Sequence, residues 1–126
     1  LQKEKTEMKR ILICEDEPDA QKSLKNILMG KNYEAYTAKD GQEAIKTAKE
    51  INPDLILLDI RMPKMDGLEV AREVRKFNAQ AKLIFITAFA SPQLQQEAIK
   101  YNISDYIIKP ASTEEIVKAV EAALKT

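Results

Sequence analysis

Histidine is absent from the 126-residue chain. That removes imidazole acid/base catalysis, catalytic triads and the usual zinc sites, and leaves carboxylates, hydroxyls and lysines to carry any chemistry. The single cysteine, Cys14, stands inside an apolar stretch. A disulfide framework within one chain is therefore excluded, and the thiol reads as a small buried apolar residue. An excess of charge of one sign is missing too: 20 basic and 20 acidic residues cancel, which argues against electrostatic capture by nucleic acid or by an anionic membrane surface. No apolar run is long enough to span a bilayer and no secretory segment is found, so a cytoplasmic location is expected.

What is present is organised around Asn52 to Gly67, N-P-D-L-I-L-L-D-I-R-M-P-K-M-D-G. Leu55 to Leu58 form an apolar run too short for a helix and bounded by Pro53 and Pro63, which reads as a strand buried on both faces. It ends on Asp59, and in open parallel α/β sheets ligands bind in the crevice beyond the carboxyl ends of the strands.

Residues 1–8 are polar and read as a linker or tail, leaving residues 9–126 as one domain, the size of an ordinary core-forming unit. Arg10 to Cys14 is a first buried strand, followed by Glu15-Asp16-Glu17 and by Pro18, which suits the opening of a helix running to about Met29. Tyr33 to Ala38 is a second strand, and Asp40 with Glu43 has capping-box spacing for a second helix. Beyond Gly67 a third helix turns Leu68, Ala71, Val74 and Phe77 inward. Lys82 to Thr87 is a fourth strand, and Ser91-Pro92 opens a fourth helix. Asp105 to Ile108 is a short fifth strand, and Ser112 with Glu115 caps the last helix. Five βα units with short loops predict an α/β fold of (βα)5 type: a doubly wound, flavodoxin-like parallel sheet in the order 2-1-3-4-5.

In that order the first and third strands are neighbours, about 4.8 Å apart. Glu15, Asp16 and Asp59 should then meet in one crevice, with Thr87 and Lys109 arriving from strands four and five. Three crowded carboxylates repel and raise at least one pKa unless a cation joins them. Oxygen donors without His or Cys select Mg²⁺ over zinc or copper, and Mg²⁺ completes its shell with water and phosphate. Lys109 offers a point charge and Thr87 a hydroxyl donor to phosphoryl oxygens, so the set suits phosphoryl transfer with Asp59 as nucleophile, giving an acyl phosphate.

With these residues in view, the sequence resembles the receiver domains of two-component response regulators. The matching pieces are Glu15-Asp16, the D-I-R-M-P-K-M-D-G block from Asp59 to Gly67, Thr87-Ala88, and Asp105-Tyr106 leading to Lys109-Pro110. The resemblance implies that Asp59 accepts a phosphoryl group from a phosphohistidine of a sensor kinase or phosphotransfer protein. It implies Mg²⁺ on Asp16, Asp59 and the backbone carbonyl of Arg61, with Glu15 acting through water. Lys109 would pair with Asp59 or the phosphoryl group, Thr87 would bond the new oxygens, and Tyr106 would swing inward as a switch toward the face of helix four, strand five and helix five. The Lys109-Pro110 bond is cis in such domains. The chain would be a phosphoprotein switch rather than an enzyme with its own turnover substrate. It would make no direct contact with nucleic acid or membrane, and its output partner and phosphorylation-dependent homodimerisation stay open.

Glu15 stands where the family more often has Asp. Arg61, two residues past the nucleophile, and Phe89, two past the threonine, flank the phosphoryl pocket and are expected to modulate the lifetime of the phosphorylated state. Asp66 reads as the cap of the third helix. The competing function is a Mg²⁺-dependent phosphohydrolase using Asp59 as nucleophile, which commonly wants an acid where Arg61 stands. A flavin-binding module of the same fold wants a Gly/Ser/Thr phosphate loop where Glu15-Asp16-Glu17 would repel phosphate.

Overall fold

A computed structural model describes residues 8–62, 64–88 and 91–125. Of the expected tail, residues 1–7 lie outside this range and Met8 is exposed. The elements follow one another as β1 (Arg10–Cys14), α1 (Pro18–Gly30), β2 (Glu34–Ala38), α2 (Gly41–Ile51), β3 (Leu55–Asp59), α3 (Gly67–Phe77), β4 (Lys82–Thr87), α4 (Pro92–Ile99), β5 (Asp105–Ile108) and α5 (Thr113–Leu124). All strand pairings are parallel and the sheet order is β2-β1-β3-β4-β5. The (βα)5 flavodoxin-like architecture expected from the sequence is thus the one observed.

Alternation of side chains along each strand splits the core into two layers. Ile11, Ile13, Leu55, Leu57, Ile84 and Ile86 meet α1 and α5 through Leu24, Leu28, Ile116, Val117 and Val120. Leu12, Cys14, Ile56, Leu58, Leu83 and Phe85 meet α2, α3 and α4 through Ala44, Ala48, Val70, Val74 and Ala98. Every residue of β3 is buried, as a strand covered by helices on both faces requires. Cys14 is fully buried and desolvation pushes its thiol pKa far up, so it is an inert core residue.

The helices start where capping chemistry places them. Glu17, Asp40, Asp66 and Ser91 each accept a backbone N–H from the first turn of their helix, and Ser112 with Glu115 forms a complete capping box. At α2 the box is incomplete, because Glu43 reaches back to the N–H of Lys39 rather than that of Asp40.

Two local expectations are corrected. Tyr33 precedes β2, its N–H tied to Leu28 O at 3.2 Å in the turn that ends α1. Phe77 does not point inward. As the last residue of α3 it is 40% exposed, with Lys49 Nζ 5.5 Å from its ring centroid, while Val70 takes the core position.

Candidate functional site

The register of the sheet assembles the site at the carboxyl ends of its strands. Cys14 pairs with Leu58, so the residues that follow, Glu15 and Asp59, leave the sheet side by side. Thr87 pairs with Ile108, and the next residue, Lys109, donates its N–H to Thr87 O at 2.7 Å. Glu15, Asp16 and Asp59 each bring a carboxylate oxygen to within 4.8 Å of the others. Glu15 and Asp59 are buried, while Asp16 is exposed. Oxygen donors of this charge and spacing suit a hard divalent cation, so the cluster could bind a metal ion.

Lys109 lies across two of the three acids. Its Nζ is 3.0 Å from Asp59 Oδ2 and 3.1 Å from Glu15 Oε1. The other oxygen of Asp59, Oδ1, accepts the backbone N–H of Arg61 at 3.0 Å, and Glu15 Oε2 accepts the N–H of Glu17 at 3.2 Å. Each buried carboxylate therefore has both oxygens engaged, as buried charge demands.

Crowding is not what dominates the titration. The pKa of Glu15 is raised above its ordinary value mainly by burial; the Lys109 bond and the N–H of Glu17 oppose this, and repulsion from Asp59 is the smallest contribution. Burial alone would lower the pKa of Lys109, but its bonds to Asp59 and Glu15 outweigh that and raise it, so the ammonium is held charged.

Close packing of the β3–α3 connection fixes the nucleophile candidate. Asp66 caps α3, and Gly67 N–H bonds Ile60 O at 2.9 Å. Gly41, at the start of α2, leaves room for Met65; a Cβ there would stand 2.5 Å from the Met65 Cβ. In the sequence the only trace of this close packing is that α2 and α3 each open on a glycine, Gly41 and Gly67.

Among the other residues singled out, Thr87 is fully buried at the end of β4. The side chain of Arg61 is exposed while its N–H faces Asp59. Tyr106 is half-buried with its ring 6.3 Å from that of Phe85, on the α2–α4 side of the sheet and outside the acidic cluster, and burial raises its pKa. Phe89 lies outside the described residues. The Lys109-Pro110 peptide bond is cis.

A family model described as the response regulator receiver domain matches residues 11–121. The chain belongs to that family. It is 36% identical over 118 residues to the chemotaxis protein CheY of Thermotoga maritima, covering 93% of this chain and 98% of that protein. It is also 34% identical over 120 residues to the regulatory protein AtoC of Escherichia coli, covering 95% of this chain but only 26% of AtoC. The chain thus spans about a quarter of one curated relative and nearly all of another. Among solved structures, the response regulator protein TrrA from Thermotoga maritima, in complex with Mg²⁺-BeF, superposes with a TM-score of 0.81 at 38% identity, covering 92% of this chain and 99% of that one. Response regulators work with sensor kinases and output domains in two-component systems, and the acidic pocket of this receiver domain fits phosphoryl acceptance. No described helix is long and apolar enough to cross a membrane.

Proposed function

We propose that this receiver domain is a phosphorylation-dependent switch with Asp59 as phosphoacceptor. The observation that carries the reading is the convergence of Glu15, Asp16 and Lys109 on the buried Asp59 carboxylate at the open end of the sheet. An Asp59 oxygen attacks the phosphorus of a phosphohistidine on a sensor kinase or phosphotransfer protein. The P–O bond forms as the P–N bond breaks, and the electron pair leaves with the imidazole, which is neutral once its ring nitrogen is protonated.

Asp16, Asp59 and the backbone carbonyl of Arg61 would hold Mg²⁺, with Glu15 acting through water; the ion supplies positive charge against the phosphoryl oxygens. Lys109 stays charged and passes from the Asp59 carboxylate to the phosphoryl oxygens. Thr87 donates its hydroxyl to the same oxygens, and Tyr106 turns inward, altering the face formed by α4, β5 and α5. Arg61, two residues past Asp59, and Phe89, two past Thr87, would slow hydrolysis of the acyl phosphate and lengthen its life. A largely apolar cleft of about 510 Å³, lined by Leu24, Ile86, Pro110 and Ile116, opens beside Glu15 and Lys109 and offers the donor protein a surface next to the site.

Incubation with acetyl phosphate and Mg²⁺ tests the reading. A mass increase of one phosphoryl group is expected, lost in Asp59→Ala and on chelation. Labelling that survives Asp59→Ala overturns the assignment, and sustained turnover of an added phosphomonoester would favour a phosphohydrolase instead.

A further inference from the structure

Asp16 makes no side-chain hydrogen bond or ion pair among the described residues, although it sits in the acidic cluster. Its carboxylate is therefore placed by the backbone that carries it, and that backbone is held at Glu15. The N–H of Glu15 donates to Ala38 O, the last carbonyl of β2, at 3.0 Å. The carbonyl of Glu15 accepts from Nε2 of Gln21. The same Nε2 donates to Ala38 O at 3.2 Å. A primary amide has two N–H donors, and both are used here on two carbonyls from different strand ends. Gln21 itself is half-buried on the first turns of α1, its own N–H bonded to Glu17 O at 3.0 Å. One side chain thus ties α1, the end of β1 and the end of β2 together directly behind the acidic pair.

We propose that Gln21 is a positioning residue for the metal-binding acids: its amide fixes the peptide of Glu15 and so sets where the Asp16 carboxylate stands relative to Asp59. The proposal rests on the reading of Asp16 and Asp59 as Mg²⁺ ligands. Groups that orient metal ligands without touching the ion typically change affinity by about 10–100-fold when removed. Because Gln21 reaches Asp16 through one peptide unit, the lower end of that range is expected. A positioning defect of this kind can be overcome by saturating metal, whereas loss of a phosphoacceptor cannot.

The test is a Mg²⁺ titration of the whole chain, read on the backbone amide resonances of Asp16 and Asp59, for wild type, Gln21→Met, Gln21→Ala and Asn26→Met. Methionine keeps the length and helix propensity of glutamine but has no donor. Asn26 is exposed on the same helix, so its variant controls for loss of an amide from α1. Gln21→Met and Gln21→Ala should each weaken Mg²⁺ binding about tenfold, with Asn26→Met unchanged, and acetyl phosphate labelling at saturating Mg²⁺ should return to within about twofold of wild type. Mg²⁺ affinities of both Gln21 variants within twofold of wild type, while the wild type titrates normally, overturn the positioning role alone. A wild type whose Asp16 and Asp59 resonances ignore Mg²⁺ overturns the underlying metal reading.

Discussion

A Cβ on Gly67 would stand 2.7 Å from the carbonyl oxygen of Asp59 and 2.9 Å from the Cα of Ile60. Both contacts are with backbone, so no side chain can swing aside, and the start of α3 must retreat from the end of β3 if the residue grows. Gly67→Ala should therefore destabilise the domain by about 1–3 kcal/mol, the usual range for overpacking. It should also slow acetyl phosphate labelling, because the Asp59 carbonyl and its side chain move together. Denaturant midpoints and labelling rates measured side by side check this. An unchanged midpoint would mean that the two backbones do not touch in solution.

Lys109 supplies the positive charge between Glu15 and Asp59, and its removal leaves two buried carboxylates facing each other. Breaking a buried pair costs roughly 3–5 kcal/mol and an exposed one roughly 0–1. The Lys109 side chain is 35% exposed against 9% or less for the acids, so a loss of about 2 kcal/mol is expected for Lys109→Met, after discounting for solvent screening. Added Mg²⁺ should then stabilise the variant more than it stabilises wild type, since the ion takes over the missing charge. Equal Mg²⁺-induced shifts in the denaturation midpoint of both proteins would show that Lys109 does not offset the acids.

The parts of the fold legible in the sequence are those written in local periodicity. The run from Leu55 to Leu58, short and bounded by prolines, reads as a buried strand, and the Ser112/Glu115 and Asp66 caps mark their helix starts by residue type alone. Phe77 departs from its expected inward face because helical periodicity assigns a face without saying where the helix outruns the layer beneath it; there Lys49 from α2 lies over the ring. The meeting of Glu15, Asp16 and Asp59 followed from sheet order. The contact between Lys109 and Glu15 did not, because a bond between residues 94 apart depends on rotamers that no local pattern specifies. Gln21 and Arg75 are hidden for the same reason: polar residues on amphipathic helices look like solvated surface until the carbonyls they meet are placed.

Asp40 gives the acid limb of stability a defined contributor. Its pKa is lowered from the ordinary 3.8, first by the N–H of Glu43 and then by the charge of Lys64. A carboxylate whose folded pKa lies below its unfolded one stabilises the native state above the unfolded value, and that contribution is lost as pH falls through the folded pKa. Asp40→Asn keeps an oxygen acceptor for the cap and removes the charge. Wild type should exceed the variant in stability at neutral pH, and the gap should close as the pH falls below 3.8. Denaturation midpoints of the two proteins from neutral to acid pH check the sign, and a gap that widens toward acid would contradict it.

The guanidinium of Arg75 joins two connections that have no other charged link among the described residues. Nε donates to Tyr101 O at 2.8 Å and Nη2 to Asn102 O at 3.2 Å, both beyond the end of α4. Nη1 donates to Ala81 O at 2.8 Å and to Asn78 O at 3.2 Å, in the turn between α3 and β4. Burial lowers the pKa of Arg75, and carbonyl dipoles rather than a carboxylate meet its charge. Hydrogen bonds to a charged group are worth about 1.5–3 kcal/mol each. Two of these four are long and the site is partly open, so Arg75→Met should cost about 2–4 kcal/mol. Arg75→Lys should recover less than half of that, since a single ammonium cannot fork to carbonyls on two separate loops. The loosened segment leads through Ser104, whose N–H bonds Leu83 O at 2.7 Å, into β5 and Tyr106. Hydrogen exchange at the amides of Asn102 and Ser104 should therefore accelerate in both variants, more in Met than in Lys. If exchange there matches wild type while the global midpoint falls, the guanidinium stabilises α3 alone and does not hold the approach to β5.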